Sequence, residues 1–200
     1  KSAASSHLRS PRPIAPELPS FASTGPAAIA RFEREATAKG VTIIPVESPA
    51  GIPAAVATVL RGTTAANGPL RCAELNLGPL PWKESGLTPQ MGPANPRDHA
   101  GVSLALAGIA ETGTLMLASA RGNPTAPAFL PEIHLVVLAR SGIAGTFEEA
   151  FARLKETYGP GVMPRTVNLI SGASRTGDIG GRIVNGAHGP RRLAVLLLAQ

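Results

Sequence analysis

Six short runs of residues in this chain are almost entirely aliphatic, without the alternation of polar and apolar side chains that a strand with one solvent-facing side shows. They cover residues 41–46, 102–107, 114–117, 133–138, 167–170 and 193–198. Helical periodicity lies between them at residues 27–39, 52–60 and 147–158, where Thr146 can cap the third helix. The sequence therefore predicts an α/β fold, a three-layer α/β/α arrangement with a mostly parallel sheet covered on both faces.

The length of 200 residues suits one domain with one core. Residues 1–26 are rich in Ser, Pro and Ala, which predicts an extended N-terminal arm followed by a single α/β domain over residues 27–200. Residues 62–100 contain many prolines and one convincing short strand, near residues 70–77. We interpret the rest as a long ordered loop anchored by Trp82, or one that covers a partner.

The net charge of +6 is concentrated at the two ends of the chain. Residues 1–40 contain six basic and three acidic residues, and residues 161–200 contain five basic residues and one acidic residue. The densest basic cluster is the pair Arg191 and Arg192, without the interleaved aromatic residues typical of nucleic-acid binding. This distribution favours a small anionic ligand or an acidic partner protein over nucleic acid.

Cys72 is the only cysteine, which excludes an internal disulfide, a cysteine-based zinc site and a four-cysteine iron–sulfur cluster held by this chain alone. The four histidines lack the short spacing of metal ligands, so we expect no metal site. No apolar run is long enough to predict a membrane segment. We expect a cytoplasmic protein, although the start at Lys1 leaves room for an upstream segment.

The stretch from Ile170 to Ile179 is predicted to run from a strand through small residues into a helix. Free backbone N–H groups at such a helix start, with the side chains of Ser174, Arg175 and Thr176, would bind a phosphate or a carboxylate. Asp178 stands where a nucleotide-binding P-loop has its lysine, which excludes that motif. The alternative is that Ser174 or Thr176 caps the helix and Asp178 stabilises its dipole.

Two further turns carry reactive groups. Glu111 begins a turn between two predicted strands, where its carboxylate can act as a nucleophile or base, or can hold the turn by accepting backbone hydrogen bonds. His188 precedes a constrained Gly-Pro turn, where the imidazole can transfer a proton or simply lie at the surface. His134 opens a buried strand, which favours a structural, hydrogen-bonded histidine over a ligand.

These segments together resemble the LUD-domain family, in particular its lactate-utilisation members. The resemblance is carried by Ala110-Glu111-Thr112-Gly113-Thr114, by Leu130-Pro131 with His134, by the stretch from Ser171 to Ile179, and by Gly186-Ala187-His188-Gly189-Pro190. It covers residues 95–200 well and the N-terminal half only in general layout. Ala173, Gly177 and Gly180 depart from the residues usual in the family.

The resemblance implies a fold like that of the sugar-phosphate isomerases and coenzyme A transferases. It also implies a part in the bacterial oxidation of L-lactate to pyruvate. The resemblance also implies iron–sulfur partner proteins. Because this chain lacks a cysteine set and a dinucleotide fingerprint, we expect no cofactor in it and the redox centres in those partners.

Two functions are consistent with this resemblance. The first is an accessory or ligand-binding subunit, in which Arg175 holds a small carboxylate or phosphate. The second is a stand-alone acyl or coenzyme A transferase with Glu111 as nucleophile and His188 assisting proton transfer. The expected ligand-binding residues are Thr112, Gly113, Thr114, Gly172, Ser174, Arg175, Thr176, Asp178 and Gly189. We expect Glu111, Arg175 and His188 to converge in one crevice at the carboxyl ends of the strands.

Overall fold

A computed structural model describes residues 24–73, 76–179, 182–186 and 188–199, with only the backbone described for residues 176–179 and 182–185. The predicted arm therefore lies outside the described residues up to residue 23. In chain order the elements are α1 (Gly25–Ala38), β1 (Thr42–Val46), α2 (Ile52–Leu60), β2 (Leu70–Cys72), β3 (Gln90–Met91), β4 (Ala100–Leu104), β5 (Ala107–Ile109), β6 (Thr114–Ala118), β7 (Ile133–Ala139), β8 (Ile143–Ala144), α3 (Phe147–Tyr158), β9 (Val167–Ile170), β10 (Arg175–Ile179), β11 (Arg182–Asn185) and β12 (Arg192–Leu198).

The central sheet has six strands in the order β1-β12-β7-β4-β2-β3, and every described pairing in it is parallel. Its middle strands β7 and β12 pair over seven residues, with His134 opposite Leu193. Both strands are buried along nearly their whole length. The prediction of a mostly parallel α/β sheet is confirmed.

Burial of both sheet faces explains the uninterrupted aliphatic runs. On one face Leu135 and Leu196 pack with Val56 and Leu60 of α2 and with Trp82. On the other face Val136, Leu138 and Val195 pack with Phe32 of α1 and with Leu115 and Leu117 of β6. The second covering layer therefore contains part of another sheet as well as a helix.

This second sheet has the order β8-β5-β6-β9, and α3 covers its outer face. The chain crosses from the first sheet into the second within two residues: the Ala105 amide bonds to the Val137 carbonyl of β7, and the Leu106 amide bonds to Met116 of β6. The strand predicted over residues 102–107 is therefore two strands, β4 and β5. The aliphatic run conceals the break because both sheets bury their side chains there.

Helix α3 has the bounds predicted from its sequence. Thr146 accepts a hydrogen bond from the Glu149 amide at 3.4 Å, and the Glu149 carboxylate accepts one from the Gly145 amide at 2.5 Å. The first bond satisfies a backbone donor that the first turn of a helix leaves free, and the second holds the residue that precedes the cap. Helix α2 also has its predicted bounds, and α1 begins two residues earlier than predicted.

The helix predicted after Ser174 was wrong. Residues Arg175–Ile179 form β10, which pairs antiparallel with β11, so the segment is a β-hairpin. Two segments with β-branched residues flank Gly180-Gly181 in the sequence, a pattern that is typical of hairpins. The helix-start amides expected to bind an anion there do not exist.

The long loop at residues 62–100 is ordered by two buried anchors among its described residues. Trp82 is buried in the core and its indole Nε1 donates to the Leu77 carbonyl at 2.7 Å. Arg71 of β2 forms an ion pair with Asp98, with Nε and Oδ2 2.8 Å apart. No helix in the described ranges has the length and apolar character needed to cross a bilayer.

Candidate functional site

A cavity of about 220 Å³ opens at the amino ends of β7 and β12, between the central sheet and the loop after β9. We call it the histidine–serine cavity. Its polar lining comes from His134, His188, Ser171 and Ser174, and its apolar lining includes Phe129, Leu169 and Leu193. Of the residues expected to bind ligand, it contains Gly172, Ser174 and Gly189, with His188 beside them.

The two histidines of this cavity occupy opposite environments. His134 is 1% exposed, and its Nε2 lies 3.1 Å from the hydroxyl of the equally buried Ser103. Burial lowers the pKa of His134 to about 3, so the ring is neutral at physiological pH. His188 is exposed, in the loop that enters β12. The structure supports a hydrogen-bonded role for His134 and also places it in the cavity lining, which sequence reasoning had not anticipated.

The loops around the cavity are tied to each other through their backbone. The Ser174 amide donates to the Pro190 carbonyl at 2.9 Å, and the Gly186 amide donates to the Ser174 carbonyl at 2.8 Å. Gly172 has φ +96°, and a Cβ there would lie 3.0 Å from the Lys39 carbonyl oxygen. Glycine is needed at this position by both the backbone conformation and the close approach of α1's end.

A chain of hydroxyl groups connects the turn after β5 to this cavity. The Thr112 and Thr114 hydroxyls are 2.8 Å apart, and the Thr114 hydroxyl is hydrogen-bonded to that of Ser171 in the cavity lining. Lys39 donates its ammonium group to the Thr112 carbonyl. Gly113 (φ +59°) lies against α1, where a Cβ would be 2.3 Å from the Ala36 nitrogen. The two threonines thus hold the Ser171 hydroxyl in place through this chain of hydrogen bonds.

Glu111 serves a different part of the molecule. Its Oε1 accepts a hydrogen bond from the Phe147 amide at 2.9 Å, at the first residue of α3. A carboxylate at that position satisfies a free helix donor and interacts favourably with the helix dipole. Glu111 is not among the residues that line the described cavities. This geometry favours the structural alternative, and acyl transfer through Glu111 would require release from the helix.

Arg175 lines a second, larger cavity of about 500 Å³, which we call the arginine cavity. It lies at the amino ends of β1 and β12 beside α2 and also contains Arg191 and Arg192. Ala173 and Leu193 line both cavities, so the segment leading into β10 separates them. Thr176 and Asp178 belong to β10, and their side chains lie outside the described residues.

The expected convergence of Glu111, Arg175 and His188 therefore needs correction. The structure assigns these residues to the start of α3, the arginine cavity and the histidine–serine cavity respectively. His188 and Pro190 precede β12, so they lie at an amino end, whereas the expectation placed all three loops at carboxyl ends. Glu111 belongs to the second sheet, which the sequence pattern did not separate from the first.

The carboxyl ends of the central strands form a third cavity, of about 520 Å³, that sequence reasoning did not identify. Its lining is dominated by aliphatic side chains such as Leu104, Val137 and Leu198. The amide group of Asn123 there bonds to the backbone of Leu104 and Ala118. Across the ranges that the structure describes, no three His, Cys, Asp or Glu side chains approach closely enough to hold a metal ion.

Comparison with known proteins adds information on ancestry. A family model described as LUD domain matches residues 97–198. An uncharacterized protein, NMB1437, of Neisseria meningitidis serogroup B is 40% identical over 99 residues, which are 50% of this chain and 42% of that protein. Lactate utilization protein C of a Geobacillus species is 30% identical over 101 residues, again 50% of this chain and 42% of the relative.

The matched segments thus span less than half of these relatives. A solved structure, that of a DUF162 family protein from Deinococcus radiodurans, superposes with a TM-score of 0.60 at 23% identity and covers 86% of this chain and 96% of that one. At that identity the likeness concerns the fold, and it confirms the α/β architecture described above.

Proposed function

The chain belongs to the LUD domain family, and from this premise we propose that it is an accessory, ligand-binding component of bacterial lactate utilisation that binds a small carboxylate in the histidine–serine cavity. In this proposal it acts in the cytoplasm with iron–sulfur partner proteins that oxidise L-lactate to pyruvate. Several curated relatives carry the name lactate utilization protein C, which supports the involvement in lactate utilisation.

The observation that carries the proposal is the grouping of two imidazoles and two hydroxyls around one small cavity. At about 220 Å³ it is smaller than the range of roughly 300 to 1,000 Å³ usual for drug-sized ligands, so it suits a molecule of a few heavy atoms. A 2-hydroxy or 2-oxo acid combines a carboxylate and a second oxygen with a methyl group. Ser174 and His188 can donate to the oxygens, and Phe129 and Leu193 provide apolar surface for the methyl group.

The electrons that lactate oxidation releases support the proposal of redox partners. Converting lactate to pyruvate removes two electrons and two protons, which need an acceptor. Cys72 is the one cysteine of this chain and is buried, and burial raises the pKa of its thiol, so it neither forms a cysteine cluster nor provides a reactive thiolate. Iron–sulfur partners would supply the acceptor that this sequence does not encode.

Calorimetric titration with L-lactate and pyruvate tests the ligand. We expect His188→Asn, which removes the ring with its Nε2, and Ser174→Ala, which removes the hydroxyl, each to weaken binding by about 10- to 150-fold, because a hydrogen bond to a charged group is worth about 1.5 to 3 kcal/mol. The matched controls are His99→Asn and Ser141→Ala, which alter exposed residues outside the cavity and should leave affinity unchanged. Equal affinity in all five proteins would exclude this cavity as the site.

Affinity purification from lactate-grown bacteria tests the role. We expect iron–sulfur proteins to co-purify with the tagged chain, and lactate oxidation to require the mixture. A partner-free chain, together with partners that oxidise lactate equally well without it, would contradict the accessory role. Ligand binding and partner binding are separate readouts, so each part of the proposal can fail alone.

A further inference from the structure

The arginine cavity is lined by several positively charged side chains. It is also larger than a simple anion requires, and part of its wall is apolar. We propose that it is a binding site for an organic phosphate, meaning a phosphate or diphosphate ester, separate from the histidine–serine cavity. Arg175, Arg191 and Arg192 all line it, and none of its twelve described lining residues is acidic.

Two glycines make room for two of these arginines. A Cβ at Gly40 would lie 2.5 Å from Nη2 of Arg175, and a Cβ at Gly186 would lie 2.2 Å from Cγ of Arg191. Both glycines have left-handed backbone conformations, with φ of +76° and +79°. The backbone around the cavity is therefore shaped to receive these side chains. The amides of Arg191 and Arg192 both donate to the Glu132 carbonyl, which fixes the start of β12.

The charges of the three guanidinium groups are not balanced within the described part of the protein. The ion pairs Arg34–Glu35 and Arg71–Asp98 involve none of these three arginines. Three like charges around one cavity repel each other and create a strongly positive potential. A ligand with two or three negative charges relieves this repulsion better than a monocarboxylate does. Guanidinium groups also match phosphate oxygens in bidentate geometry.

The uncharged part of the cavity indicates an ester rather than a free ion. At about 500 Å³ it falls within the size range of small-molecule sites. Ile44, Val59 and Ala194 form an apolar wall beside the hydroxyls of Thr42 and Thr58. The phosphate groups of a ligand would bind the arginines while its organic part packs on this wall.

Titration calorimetry with ADP, inorganic phosphate and adenosine at physiological salt tests the proposal. We expect ADP to bind more tightly than inorganic phosphate, adenosine not to bind, and ADP affinity to fall as salt is raised. Arg175→Gln and Arg191→Gln should each weaken ADP binding by about 10- to 100-fold. Arg61→Gln and Arg97→Gln, which remove exposed arginines outside the cavity, should not change it.

A pair of glycine variants tests whether Arg175 needs the space beside Gly40, without removing a charge. Gly40→Ala and Gly62→Ala introduce the same side chain at nearly the same backbone angle, φ +76° and +74°, and nothing lies within 4 Å of a Cβ at Gly62. Both should lose similar stability, because Arg175 can move its flexible end aside. We expect Gly40→Ala alone to lose affinity for ADP, by several-fold or more.

Three results would overturn the proposal. They are ADP affinity no greater than that of adenosine, inorganic phosphate binding as tightly as ADP, and arginine variants that bind ADP like the wild type. His188→Asn should leave ADP binding unchanged, and a loss there would contradict two separate sites. Lactate titrations of the same variants show whether the proposed function stands or fails independently.

Discussion

His134 shows at the scale of one residue how burial fixes the state of an ionisable group beside the candidate site. Its ring is buried and hydrogen-bonded to Ser103, so protonation in the folded protein would place a charge away from solvent. The neutral ring is therefore a stable part of the cavity wall, whereas the exposed His188 is free to contact ligand.

This burial predicts a pH dependence of stability. Between about pH 6.5 and 3 the unfolded chain binds a proton at His134 that the folded chain does not, so the free energy of unfolding falls as pH falls through this window. The contribution approaches about 1.4 kcal/mol per pH unit. Urea unfolding from pH 7 to 4 should show a shallower decline for His134→Gln than for the wild type, and His99→Gln is the control. Parallel curves for wild type and His134→Gln would contradict it.

Glu111 is expected to act on stability through its bond to the Phe147 amide. Glu111→Ala removes an acceptor and a favourable charge at the start of α3, which should cost about 1 to 2 kcal/mol of unfolding free energy. Glu156→Ala, near the other end of the same helix and exposed, should cost far less. Thermal unfolding measures both. A Glu111→Ala protein of unchanged stability that has lost an acyl-transfer activity would favour the transferase alternative.

At the scale of elements, the sequence predicts best where one local signal decides the structure. Helices α2 and α3 and strand β9 have their predicted bounds because the apolar pattern and the flanking turns agree there, and Thr146 also caps α3. The segment after Ser174 contains competing signals, small residues typical of helix starts and β-branched residues around two glycines. The hairpin pairing of β10 with β11 prevailed.

The edge of the central sheet formed by β2 and β3 depends on a buried ion pair. Asp98 accepts from Arg71 and from the Asn95 amide at 2.6 Å, and Arg71 also donates to Gln90 at 2.8 Å. Asp98→Ala leaves the guanidinium partly buried without its partner and should cost about 3 kcal/mol or more. Arg34→Ala breaks an exposed pair and should cost under about 1 kcal/mol. Urea unfolding of both variants compares them, and equal losses would show that the pair does not anchor this edge.

At the scale of the whole molecule, the position of the site depends on connections that one sequence does not reveal. Motif order predicts that the loops around Ser174 and His188 are close, and the Ser174–Pro190 hydrogen bond brings them together. The same reasoning places Glu111 and Arg175 near these loops, because it assumes that all the strands belong to one sheet and that all the loops lie at one edge of it. Glu111 belongs instead to the second sheet. Arg175 lies in the arginine cavity, on the other side of the segment that separates the two cavities.

The central claim is that the histidine–serine cavity binds a small carboxylate. An NMR titration of ¹⁵N-labelled protein with L-lactate tests it most directly, because each backbone amide reports its own surroundings. We predict saturable shifts concentrated at Gly172, Ser174 and Gly189, and their loss in His188→Asn. Shifts concentrated at Gly40, Arg191 and Arg192 instead, or no saturable shifts at all, would contradict the claim.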